Sequence, residues 1–214
     1  MYIVAVIAEK GGVGKTTTAL DLAVCATLKG KTAAILDIDP QATASKWTDR
    51  RKAGTPWVVP THAARLSAAI AQAQSQKVDF LVIDTAPHSA SDSVEAARRA
   101  DIVLLPVEAH TFSLESLPKL ADLLKLANNP PAFCIVTKAP VQGSDARHAI
   151  DYIKAQGFAV FPGVVHHRAA HRHAGNVGQT AAEYEPLGKA AEESQQVYLY
   201  TLQQLNNMRR GNDA

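Results

Sequence analysis

The sequence predicts an α/β protein: one doubly wound, mostly parallel sheet with helices on both faces. Three observations predict it. Short apolar runs of strand length alternate with longer stretches of helical periodicity along the 214 residues. The runs are apolar at nearly every position, as strands covered on both faces are. The first run also feeds a glycine-rich loop that opens a helix, the setting a phosphate-binding loop requires.

The elements follow in order. Tyr2–Ile7 reads as a buried strand. The next helix sets Leu20, Ala23, Val24, Thr27 and Leu28 on one face and stops at Gly30. Thr32–Leu36 is a second buried strand, Thr43–Lys52 a helix with a basic end, and Trp57–Val59 a short strand. Arg65–Gln76 carries Leu66, Ala69, Ile70 and Ala73 at helical spacing. Phe80–Ile83 is a strand capped by Asp84. Ser91–Arg99 is a helix with acids at its start and Arg98-Arg99 at its end, which suits the helix dipole. Ile102–Val107 is a strand, and Ser113–Asn128 one long helix striped by Leu117, Leu120, Leu124 and Ala127. Phe133–Thr137 is a strand and Ala146–Gln156 a helix. Ala159–Phe161 and Val164–His166 suit a final strand, and Gly188–Asn207 a terminal helix.

Composition bounds the function. With 47% hydrophobic and 20% charged residues, the chain is that of a soluble globular protein. It has no apolar run of transmembrane length and no signal peptide, which predicts a cytoplasmic protein. Cys25 and Cys134 fall inside apolar patterns and read as reduced core residues. Residues 1–214 read as one domain whose tail, 206–214, is polar and lacks the apolar face of a membrane-binding helix. A net charge of +2 permits nucleic-acid binding without demanding it.

The chemistry is concentrated in AEKGGVGKTTT, Ala8 to Thr18. Gly11, Gly12 and Gly14 let the backbone curl with its N–H groups inward, and Val13 completes the loop. Thr16 and Thr17 open the helix, whose N-terminus favours an anion. Lys15 is placed to reach β- and γ-phosphates, and the Thr16 hydroxyl to ligate Mg²⁺. Asp84, ending a buried strand at the expected distance, faces the same Mg²⁺ site. Asp37 and Asp39 end the second strand, and carboxylates two residues apart project the same way if the strand continues.

The loop departs from the ordinary G-x-x-x-x-G-K-[ST] pattern: Glu9 stands at the first glycine, with a second lysine, Lys10, beside it. The form K-G-G-V-G-K-T-T resembles the deviant Walker A box of the ParA/MinD family of P-loop ATPases. Asp37-Ile38-Asp39-Pro40-Gln41 resembles its switch I, Thr85-Ala86-Pro87 its switch II, and the segment around Pro106 its L-x-P-V stretch. The resemblance covers nearly the whole chain and is nearest the short ParA type, which lacks a separate DNA-reading amino-terminal domain.

That resemblance implies an ATP hydrolase of weak intrinsic activity, using ATP and Mg²⁺. It implies a homodimer when ATP-bound, with Lys10 reaching the partner's nucleotide, and Asp39 orienting the attacking water and supporting the Mg²⁺ shell. It places the adenine near Thr137 and Lys138. It further implies non-specific binding of double-stranded DNA at the nucleoid, a ParB-like centromere-binding partner that stimulates hydrolysis, and a role in plasmid or chromosome segregation without a membrane. The His-rich stretch from His166 to His173 offers Arg168 and Arg172 as DNA contacts; a solvated turn or, with no cysteine or acidic ligand at zinc spacing, a metal site are the other readings. A MinD-like or organelle-positioning ATPase is the alternative function. A metabolic enzyme or a cluster-bearing reductase relative is a third, disfavoured because Cys25 sits mid-helix and Cys134 mid-strand.

Overall fold

The computed structural model describes residues 1–212. Six strands form one all-parallel sheet: β1 (Tyr2–Val6), β2 (Ala33–Asp37), β3 (Trp57–Pro60), β4 (Phe80–Asp84), β5 (Ile102–Glu108) and β6 (Ala132–Thr137). Their order is β3-β2-β4-β1-β5-β6. The sheet winds outward both ways from β1, so the loop after β1 opens at the centre of the carboxyl edge.

Alternate residues of each strand feed two cores, which is why the runs lack polar positions. Ala5, Ile7, Leu36, Leu81 and Ile83 pack on one face beneath α3 (Leu66–Ser75), α4 (Ala90–Arg99), α6 (Leu117–Leu126) and α7 (Asp145–Ala155). Val4, Val6, Ile35, Phe80 and Val82 pack on the other beneath α1 (Lys15–Leu28), α2 (Thr43–Thr48) and α10 (Lys189–Asn212). Phe80 meets Tyr198 of α10 edge to face at 5.6 Å, an arrangement worth about 1 kcal/mol beyond burial. Cys25 and Cys134 are free and buried, as expected.

Five expectations change. α1 buries nearly its whole circumference from Thr18 to Ala26, whereas Leu28 is exposed, so the expected stripe is too narrow. α2 stops at Thr48, short of the basic turn. The long helix from Ser113 breaks into α5 (Thr111–Leu114) and α6, because Pro118 lacks the N–H to continue a helix and sits instead in the first turn of α6. Its leucine stripe is core. No final strand forms at 159–166. The chain touches β6 through two isolated parallel bridges, Cys134–Val160 and Ala139–His166, on either side of Pro162-Gly163. The terminal helix runs on to Asn212, through most of the expected tail; Asp213 and Ala214 lie outside the described residues.

Two helices went unread. α8 (Ala169–Asn176) holds the second half of the His-rich stretch, His171 to His173, while His166 to Arg168 precede it, and α9 (Ala181–Tyr184) follows. Arg51, at the basic end of the helix expected over Thr43–Lys52, fastens them. Its side chain is 3% exposed, pairs with Glu183 at 2.7 Å, donates to the Gly178 carbonyl and stacks on Trp47. Gly178 adopts φ +67°, and a Cβ there would lie 2.4 Å from the Arg51 nitrogen. Only glycine admits that approach.

Candidate functional site

Strand β1 delivers the chain into a loop, residues 7–14, that ends at Gly14 with φ +93° before α1 begins. That left-handed turn swings the first N–H groups of α1 toward the loop's interior. The loop is braced from β6: the Thr137 hydroxyl, buried, lies 2.8 Å from the Val13 carbonyl and 3.2 Å from that of Val107. Thr137 thus holds the loop with its hydroxyl, whatever else it touches. Lys138, at φ +51°, pairs with Glu108 at 3.6 Å.

Lys15 is 6% exposed and donates to the Lys10 carbonyl at 3.1 Å. Burial lowers its pKa, opposed by the charges of Asp84 and Asp39. Asp84 is wholly buried, and neither carboxylate oxygen has a hydrogen-bond partner. Burial pushes its pKa up to about 7. The neighbouring Thr16 hydroxyl works against that without closing a hydrogen bond, Asp37 adds to it, and Lys15 opposes it. An orphaned buried carboxylate beside an amine and a hydroxyl fits a divalent cation and a phosphate chain: two oxygens stand free for a hydrated hard cation, and Thr16 supplies a third.

Asp37 and Asp39 part company. The strand ends at Asp37, whose Oδ2 accepts from the Ser45 N–H at 2.9 Å and the Ser45 hydroxyl at 2.8 Å, anchoring the start of α2. Asp39 is half-buried; its Oδ1 accepts from the Gln41 N–H at 2.8 Å. Lys10 rests on the Phe112 carbonyl, with its Nζ 5.6 Å from the Phe112 ring.

A cavity of about 270 Å³ opens beside Gly14 and Thr17, with Thr137 and Lys138 on its wall. Ile135, Val165 and Val197 give it flat apolar sides. Arg168 and Arg172 also line it. Arg168 is bound to Glu193 at 2.7 and 3.0 Å, and His166 shares that carboxylate at 2.8 Å. Burial alone would raise Glu193; its bonds to Arg168 and His166 override that and hold it below the usual carboxylate range. Among the described residues no group of three or more His, Cys, Asp or Glu side chains is gathered as metal ligands.

Sequence reasoning missed Asp21 and Ser194 on the cavity floor and Glu193, which binds the cavity residues Arg168 and His166, and it took His171 only as part of the His-rich stretch. One signal was available: an aspartate set among Leu20, Leu22, Ala23 and Val24 in a helix otherwise apolar.

With this geometry in place, the likeness to known proteins is informative. The model of the CobQ/CobB/MinD/ParA nucleotide-binding domain matches residues 4–181. The chain belongs to that family. Like other ParA/MinD-family members, it carries the ATPase fold of the group. Its relatives include the sporulation initiation inhibitor protein Soj of Bacillus subtilis, 27% identical over 58% of this chain and 65% of that protein. They include the maintenance of carboxysome distribution protein A of Gloeobacter kilaueensis, 27% identical over 95% of this chain and 94% of that one. A solved complex of ATP with an aspartate-to-alanine variant of Cyanothece McdA shares the fold at a TM-score of 0.71, with 20% identity over 91% of this chain and 95% of that chain. This ParA/MinD-type chain spans just under two thirds of Soj but nearly the whole of the carboxysome protein. Among the described residues no helix is long and apolar enough to cross a membrane.

Proposed function

We propose that residues 1–214 act as a single ParA-type ATPase domain that binds MgATP, dimerises around it and lets go on hydrolysis. The observation that carries the reading is Asp84, buried with both oxygens unpartnered beside a buried Lys15 at the mouth of the glycine loop. A nucleotide in a fold neighbour, the ATP complex of the McdA variant, supports it.

The residues divide the work. N–H groups from Gly11 to Thr17 line the loop and bind phosphate oxygens. Lys15 exchanges the Lys10 carbonyl for a phosphate oxygen, a stronger charge-assisted bond. Mg²⁺, held by Thr16 and Asp84 with Asp39 at its edge, would neutralise charge on the β- and γ-phosphates. Asp39 keeps one oxygen on the Gln41 N–H and turns the other to the attacking water. Lys10 leaves Phe112 for the nucleotide of a second copy. The interface then depends on the γ-phosphate, and hydrolysis removes that attraction.

The cargo reading is DNA. The ATP dimer binds double-stranded DNA without reading sequence, and a ParB-like partner stimulates hydrolysis; the likeness to Soj supports this. A second reading has its own support. The relative named for carboxysome distribution aligns over 95% of this chain, which favours a protein cargo carried over the same DNA surface. Binding to random-sequence DNA with ATP, ADP or no nucleotide, across a salt series, tests the common core. ATP-dependent, salt-sensitive, sequence-blind binding is expected. Binding that ignores the nucleotide overturns the reading. Stimulation of hydrolysis by a DNA-bound or a cargo-bound partner then separates the two cargoes.

A further inference from the structure

Beneath the cavity beside Gly14 lies a polar cluster drawn from three helices. Asp21 of α1 is buried and accepts from the Ser194 hydroxyl of α10 at 2.9 Å. His171 of α8 lies with its Nδ1 3.6 Å from the same Asp21 oxygen. Both ring nitrogens of His171 are shut off from solvent and lack a hydrogen-bond partner, although its ring lines the cavity. Leaving such a group unpaired is costly, so an unpaired histidine on a cavity floor points to a ligand.

The cavity's other side chains leave one position undecided. Ile135, Val165 and Val197 can sandwich a flat ring but not read its edge. Thr17, Thr18 and Ser194 carry hydroxyls that donate or accept alike. Lys138, Arg168 and Arg172 only donate, and His166 is bound to Glu193. His171 is set apart from His166 because neither of its ring nitrogens is yet hydrogen-bonded, while Asp21 stands 3.6 Å from its Nδ1. Ionised Asp21 keeps the proton on Nδ1, which leaves Nε2 as an acceptor.

Resting on the nucleotide-binding reading above, we propose that His171, oriented by Asp21, selects a 6-amino purine over a 6-oxo purine. A turn of the ring about its Cβ–Cγ bond presents the Nε2 lone pair to the cavity. An exocyclic amino group donates to it, whereas a 6-oxo group sets oxygen against nitrogen lone pair. His171 thereby reads the base, and Asp21 is a positioning residue held by Ser194.

The charged surroundings give the device a pH signature. Burial raises Asp21 to about 6, His171 and Ser194 oppose that, and Glu183 of α9 adds to it. His166 and Arg168, both bound to Glu193, line the cavity together with His167, Lys138 and Arg172. Above pH 6 Asp21 is ionised and Nε2 accepts. Below it Asp21 is protonated and no longer holds the ring proton on Nδ1, so the selection weakens.

The test compares ADP with IDP, which differ at position 6 and in the N1 proton that follows from it. Calorimetry at pH 8 is expected to give ADP about tenfold or more over IDP. The preference should shrink as pH falls through 6. His171→Ala should bring the two affinities within about twofold while keeping the affinity for inorganic tripolyphosphate; His171→Gln, whose amide oxygen accepts, should restore part of the preference. Asp21→Asn should lose both the preference and its pH dependence. Equal affinities in the unaltered protein, or a full preference in a folded His171→Ala variant, overturn the inference and leave nucleotide binding standing. Failure of either nucleotide to bind overturns both.

Discussion

Asp84 stands directly opposite Asp37 across the β2–β4 ladder, and the two carboxylates live in opposite conditions. Asp37 is satisfied on both oxygens, Oδ2 by the N–H and hydroxyl of Ser45 and Oδ1 by the Asp39 N–H; Asp84 has no partner on either oxygen. One acid builds the scaffold and its neighbour is left for chemistry.

Asp84 therefore weakens the empty protein. Its pKa rises from 3.8 unfolded to about 7 folded, so between those values the folded state holds a proton that the unfolded chain has released. Stability contributed by this group is present at low pH and is lost as pH rises through that window. Asp84→Asn should stabilise the nucleotide-free protein at pH 8 by up to about 4 kcal/mol, read by urea denaturation, and leave stability at pH 4 little changed. It should also abolish the Mg²⁺ dependence of nucleotide binding.

Lys15→Ala should lower ATP affinity by about a hundredfold or more, since a charge-assisted contact to phosphate disappears from a buried site. Calorimetric titration measures it. An unchanged affinity refutes the phosphate-binding role of the loop.

Lys10→Ala should keep most of the single chain's nucleotide affinity and lose ATP-dependent dimerisation, measured by light scattering. Within its own chain the Lys10 ammonium donates to the Phe112 carbonyl, and the Lys10 carbonyl that Lys15 uses is kept in the variant. A variant that still dimerises with ATP removes the cross-subunit role.

Asp39→Ala should bind ATP with near-native affinity and turn it over at least about a hundredfold more slowly, because water positioning rather than binding is lost. A coupled phosphate-release assay decides it.

Arg51→Ala should cost about 3–5 kcal/mol in chemical denaturation, because Glu183 is left without its buried partner. The loss should be similar with and without nucleotide. A selective loss of DNA binding at full stability would instead mean that Arg51 faces phosphates.

The strands were legible because burial on both faces forces unbroken apolar runs, and the glycine loop because its backbone geometry admits few residues. Lys15, Thr16 and Asp84 could be located for a similar reason: each is fixed to a strand end or a helix start. The reading failed where the chain makes no regular ladder. Residues 159–166 are apolar enough for a strand, yet Pro162 and Gly163 reduce them to two bridges. The break at Ser116 and Leu117 was visible in Pro118 and was overridden by the leucine stripe.

The sequence by itself determined the sheet, the glycine loop and the acids at the strand ends, since these depend on neighbours a few residues apart. Only the tertiary structure decided which polar groups are already satisfied. Asp37 is closed off by Ser45, Arg51 by Glu183 across 132 residues, and Arg168 by Glu193, while Asp84 and His171 are left open. Hydrogen-bond partners in folded chains come from elements distant in sequence, and a buried group becomes reactive by lacking one. That lack has no local signature.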